Sequence, residues 1–66
     1  MLQSEVYQPI SVGDIFCYQD EKFLVVRELL DRERVRCLLS MDGATGEHII
    51  VYTQDLWGRQ RAFWGK

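Results

Sequence analysis

Cys37, His48 and either Asp42 or Asp55 are the side-chain types of a thiol nucleophile, its base and an orienting carboxylate. Such a set works only when the thiol is accessible and the imidazole lies within hydrogen-bond reach. No nucleophile elbow, phosphate-cradling glycine loop or paired-carboxylate motif accompanies these residues, and cysteine and histidine are ordinary strand and core residues. The chain therefore reads as a non-enzyme. Cys17, Cys37 and His48 could also serve a metal, but no CxxC or HxxxH spacing gathers them, so neither metal nor cofactor is expected.

A second constellation lies in "DLWGRQRAFWGK". Trp57, Arg59, Arg61, Phe63, Trp64 and Lys66 bring both tryptophans and three cations into ten residues without a carboxylate. Residues 1–56 carry ten acids against five bases, a net −5, and residues 57–66 carry +3. An acidic body with a basic, aromatic end attracts polyanions at that end alone. Trp57, Arg61 and Trp64 stand at i, i+4 and i+7, so a helical tail would present an aromatic stripe beside a basic one. Ten residues do not hold a helix alone in water, and Gly58 weakens it by about 1 kcal/mol relative to alanine. The tail must dock to be ordered.

Three docks compete. The tail can cover its own domain, which suits a chain of 66 residues with few aromatics to spare. It can anchor a protein partner, since Trp, Phe and Arg are hot-spot residues. It can clamp nucleic acid by stacking bases and neutralising phosphates, but three cations give a salt slope of only about −2 to −3. Arg32, Arg34 and Arg36 would add phosphate contacts, although Asp31 and Glu33 are interleaved with them and a solvated hairpin tip is the plainer reading.

The elements that position these residues follow from periodicity. A composition of 47% hydrophobic and 27% charged residues is that of one ordinary globular domain. No apolar run approaches the roughly 20 residues of a membrane span, and "MLQSEVYQ" has neither the basic nor the apolar part of a secretory signal. Reduced thiols and a cytoplasmic location are the expectation. Residues 1–11 read as an extended segment that Pro9 keeps from being helical, residues 12–57 as the folded domain and residues 58–66 as the tail.

Within the domain, "VGDIFCY", "FLVVRELL", "VRCLLSM" and "HIIVYT" read as strands, "QDEK" and "DGATGE" as turns, and "QDLW" as the start of a helical turn. A single amphipathic helix over 21–41 is the alternative, because Phe23, Val26, Leu30, Cys37 and Met41 fall near heptad spacing. The repeat of "VRELL" in "VRCLL" favours a hairpin turning on Arg32–Glu33, with Val26 facing Leu39 and Glu28 facing Cys37. One face then gathers Leu24, Val26, Glu28, Leu30, Val35, Cys37, Leu39 and Met41. A first strand with Phe16 opposite Val25 and Tyr18 opposite Phe23 adds Ile15 and Cys17 to it. In that register the two cysteines lie ~13 Å apart, beyond the ~7 Å a disulfide spans. Glu28 is the one acid on the inward face and needs a cation or an open end. The other face carries Phe16, Tyr18, Phe23, Val25, Leu29 and Leu38, more apolar area than a soluble monomer leaves bare.

Short strands with tight turns in so short a chain suggest a small, curved β-barrel with a C-terminal helical turn or tail. "SVGDIFCY", "KFLVV", "RVRCLL" and "IIVYTQDLW" resemble the strands of a small SH3-like or Tudor-like barrel of four to five antiparallel strands over residues 12–57. The glycine pattern of a KOW ribosomal module is absent, and no aromatic cage maps onto these positions. The resemblance implies a non-catalytic binding module, of a kind that also occurs as an appendage of mobile-element transposases and other nucleic-acid machinery. An accessory or regulatory protein of a bacterium, phage or mobile element is expected. Its ligand is another protein or a second copy of itself before nucleic acid, with no membrane and no small-molecule substrate. Phe16, Tyr18, Phe23, Trp57, Arg59, Arg61, Phe63 and Trp64 are the expected contact residues, with Arg32, Arg34, Arg36 and Lys66 as possible phosphate contacts.

Overall fold

The computed structural model describes residues 9–63. Strands β1 (Ile15–Cys17), β2 (Phe23–Leu29), β3 (Arg34–Ser40) and β4 (Gly46–Tyr52) form an antiparallel meander. Helix α1 (Thr53–Trp57) follows, and β5 (Arg61–Ala62) returns to pair with β1. The sheet order is β4-β3-β2-β1-β5, so the sheet is open, with β4 and β5 at its edges. The helical alternative over 21–41 does not form; that stretch holds β2, a loop and all of β3. The fold is mainly β with one short helix, and no helix among the described residues is long and apolar enough to cross a membrane.

Loop length sets the register, and here it corrects the expected one. Residues 19–21 make a three-residue loop, in which Asp20 and Glu21 both sit at φ 60 and the Tyr18 N–H donates to the Lys22 carbonyl. A two-residue loop would have put Phe16 opposite Val25. The observed partners are Ile15↔Val25, Phe16↔Leu24 and Cys17↔Phe23. A slip of one residue turns every side chain to the other face. Phe16 therefore enters the core at 1% exposure, and Ile15 and Cys17 face outward.

The β2–β3 hairpin also closes through three residues, 31–33, rather than on Arg32–Glu33. The Asp31 carboxylate accepts the backbone N–H groups of Glu33 (2.8 Å) and Arg34 (2.9 Å), and the Arg34 side chain, helped by those bonds, holds its carboxyl below the usual carboxylate range. A β-bulge between Val26 and Glu28 then inserts one extra residue in β2. Below the bulge Leu24 and Val26 share a face with Leu39 and Cys37, as the alternation predicts. Above it the faces exchange. Leu29 pairs with Val35, and Glu28 pairs with Arg36 on the outer face, where the two form an ion pair. The bulge thus removes the inward carboxylate that an unbroken ladder would bury.

The core gathers Phe16, Leu24, Val26, Val35, Cys37 and Leu56, with Ile10, Tyr18, Leu39, Ile49 and Val51 packed against it. Five residues of helix are too few to stand alone. α1 is held by Leu56, fully buried, and by Thr53, whose N–H donates to the Glu33 carbonyl at 2.9 Å and whose hydroxyl donates to that of Arg32. On the outer face Val25 and Leu38 form one row with Ile15 and His48 and are 7% and 3% exposed. Cys17 lies on that outer face and Cys37 on the inner one. Both are free thiols, and their separation by the sheet, rather than along one face, keeps them apart.

Candidate functional site

The segment read as a helical tail turns back instead. α1 stops at Gly58, the Arg59 N–H donates to the Leu56 carbonyl at 3.0 Å, and the chain re-enters the sheet as β5. Arg61, placed opposite Phe16 by the β1–β5 register, lays its guanidinium 4.8 Å from the Phe16 ring centroid. It donates to Asp14 Oδ2 at 3.0 Å and to the Pro9 carbonyl at 3.1 Å. Arg59 lies 4.5 Å from the centroid of Tyr18, with its Nε buried and without a hydrogen-bond partner. Both arginines are thus folded onto the chain's own rings. Such contacts contribute roughly 0.5–1 kcal/mol each when exposed and more when desolvated.

The hairpin arginines are similarly engaged. Arg34 bonds Asp31 Oδ2 at 2.7 Å and Arg36 pairs with Glu28, while Arg32 is exposed at the tip with no ion pair to a described residue. Of the eight expected macromolecule contacts, Phe16 is core, Tyr18 is half-buried beneath Arg59, and Phe23 is half-buried on the outer face. Trp57 is 36% exposed and Phe63 90% exposed. Trp64 and Lys66 lie outside the described residues. Phe16 is therefore a correction: it holds the fold together and offers no surface to a partner.

The sheet also separates the residues a thiol mechanism would bring together. Cys37 stands opposite Ile49 on the inner face, whereas His48 stands opposite Leu38 on the outer one. Burial pushes the Cys37 thiol up to about 11, far from a thiolate at neutral pH. Asp42 serves its loop: Oδ1 accepts from the N–H groups of Ala44 and Thr45, both at 2.8 Å, and Oδ2 from the Thr45 hydroxyl. These donors hold its carboxyl well below the usual range. Among the described residues no three His, Cys, Asp or Glu side chains converge as a metal site would require.

Outside the expected set Val12, Leu29 and Met41 are exposed singly, and two further exposed residues share one strand. Ile50 and Tyr52 are 61% and 60% exposed on β4, on the side away from the half-buried Ile49 and Val51. The alternation within "HIIVYT" carries that signal, since His48, Ile50 and Tyr52 share one side. It becomes legible as a site only once β4 is known to be an edge. Beside them an open groove on the outer face is lined by Arg27, Glu28, Arg36, Leu38 and His48. Comparisons with protein families, with curated proteins and with solved structures return no match to this chain.

Proposed function

We propose that this chain is a non-catalytic binding module that works by contact with protein, as an accessory or regulatory component in the cytoplasm. The observation that carries this reading is the disposition of charge. Arg34, Arg36 and Arg61 are paired with Asp31, Glu28 and Asp14, and Arg59 is folded over Tyr18, whereas Ile50, Tyr52 and Phe63 remain open to solvent. A nucleic-acid clamp needs uncommitted cations beside exposed rings; here Arg34 opposite Tyr52 and Arg61 beside Phe63 are committed, while Arg27 and Arg32 have no ion pair to a described residue. The meander, the helical turn and the return of β5 to β1 support the finer reading of a small SH3-like barrel, opened between β4 and β5.

The test is tryptophan emission of the full chain titrated with single-stranded and duplex DNA at about 50 and about 200 mM salt. The expected result is no change at either salt. A shift that appears at low salt, is reversed by high salt and is lost in Arg32→Ala would replace this reading with nucleic-acid binding.

A further inference from the structure

The backbone of β4 has a definite polarity toward solvent. The Thr53 N–H donates to the Glu33 carbonyl at 2.9 Å, one step beyond the Arg34↔Tyr52 pair. Hydrogen-bonded pairs alternate along an antiparallel ladder. Glu47, Ile49 and Val51 therefore turn their backbone groups toward β3, and Gly46, His48, Ile50 and Tyr52 turn theirs outward. No strand among the described residues meets that edge. It is seven residues long, with no register shift against β3 and neither Lys nor Pro, and its one carboxylate, Glu47, lies toward one end, so the stretch from His48 to Tyr52 carries few of the usual guards of an exposed edge.

We infer that β4 pairs with β4 of a second copy of this chain, antiparallel about a two-fold axis at Ile50. This rests on the protein-contact reading and names its partner. The residue pattern is self-complementary in that register. Ile50 meets its own copy, His48 meets Tyr52, Ile49 meets Val51 and Glu47 meets Thr53, so no like charges face each other. Ile50, His48 and Tyr52 all carry outward backbone groups, which gives about six hydrogen bonds across the axis. Registers centred between two residues would set the core side of one sheet beside the outer side of the other. A centre at Ile49 would set each Glu47 carboxylate against Val51, and a centre at Val51 would run into α1 after one residue pair fewer. A two-fold contact is also closed, so it consumes the β4 edge of each copy and stops at a dimer.

The experiment is sedimentation equilibrium of the full chain from about 1 μM to about 1 mM, with amide exchange read by NMR at both ends of that range. A monomer–dimer equilibrium is expected, with the amides of His48, Ile50 and Tyr52 slowing as dimer forms. Ile50→Lys and Ile50→Glu should each weaken association about tenfold or more by placing like charges face to face, and an equimolar mixture of the two should restore it. Restoration is specific to an axis at position 50. Ile50 is exposed, so the melting of each dilute variant should match the parent chain. A monomer throughout, edge amides that stay fast, or a dimer indifferent to both substitutions overturns the inference. So does an edge protected only when a different protein is added, a result that leaves the protein-contact reading standing. Salt-reversible DNA binding would sink that reading independently of the dimer.

Discussion

The two edges of one sheet are built differently. β5 is two residues long, and its Arg61 is tied to Asp14 and Pro9 across 47 and 52 positions of sequence and stacked on Phe16. A short edge strand carrying an inward-held charge is a poor template for another chain. β4 is seven residues long and unshifted, and presents Ile50 and Tyr52 at about 60% exposure. A chain that guards one edge and leaves the other without a neighbouring strand among the described residues has a directional surface, and the association proposed above falls on its β4 side.

The deepest way to break this contrast is at the joint between the edges. Leu56 is fully buried in α1, the element that carries the chain from β4 to β5. Leu56→Ala removes that anchor and leaves a cavity, at about 2–5 kcal/mol. A domain of this size holds only about 3–10 kcal/mol, so the variant should be largely unfolded at physiological temperature. Its circular dichroism and urea midpoint check this; a midpoint within error of the parent would mean that the two edges form without the joint.

Gly46→Ala breaks the β4 side selectively. A Cβ at that position would lie 2.1 Å from the Leu39 carbonyl oxygen, and the neighbour is backbone that has little freedom to move. The expected loss is about 1–3 kcal/mol, with faster amide exchange through Glu47 and Ile49 and little change at Cys17. Equal loosening at both ends of the sheet would show that the edges are not independent.

Much of this contrast was legible in the sequence, and what was missed lies in register and in long-range pairing. Alternation in "FLVVREL", "RVRCLLS" and "HIIVY" shows the strands because burial of one face imposes period two. Register is decided elsewhere. Asp20 and Glu21 at φ 60 make a three-residue loop that nothing in a β-carbon-bearing pair announces, since glycine or asparagine is the usual sign of that conformation. That single extra residue moved Phe16 from a presumed surface into the core. The bulge at Arg27 did the same for Glu28, by a backbone insertion that no side chain marks. At the candidate site, the tail's composition was visible, but its arginines are committed to Asp14 and Tyr18, partners more than 40 positions away in sequence for both. Ile50 and Tyr52 were visible as alternation and anonymous until the strand order placed them at an edge.

The smallest effect sharpens the comparison from the β5 side. Arg61→Met keeps an unbranched stem over the Phe16 ring but removes the charge held by Asp14 and the donor to Pro9. The ion pair is about one-third exposed, with side chains at 31% and 25%, so water screens part of its worth. A loss of about 1 kcal/mol is expected, measured as a shift of the thermal midpoint that narrows at high salt. The local reporter is the Cys17 amide, which donates to the Gln60 carbonyl at 2.8 Å and is protected only while β5 stays docked. Faster exchange at Cys17 with unchanged exchange at Ile49 would establish that Arg61 guards the β5 edge alone. If Cys17 exchange does not move, the strand is held by its backbone and by Ala62 opposite Ile15, and the charge is incidental to the difference between the edges.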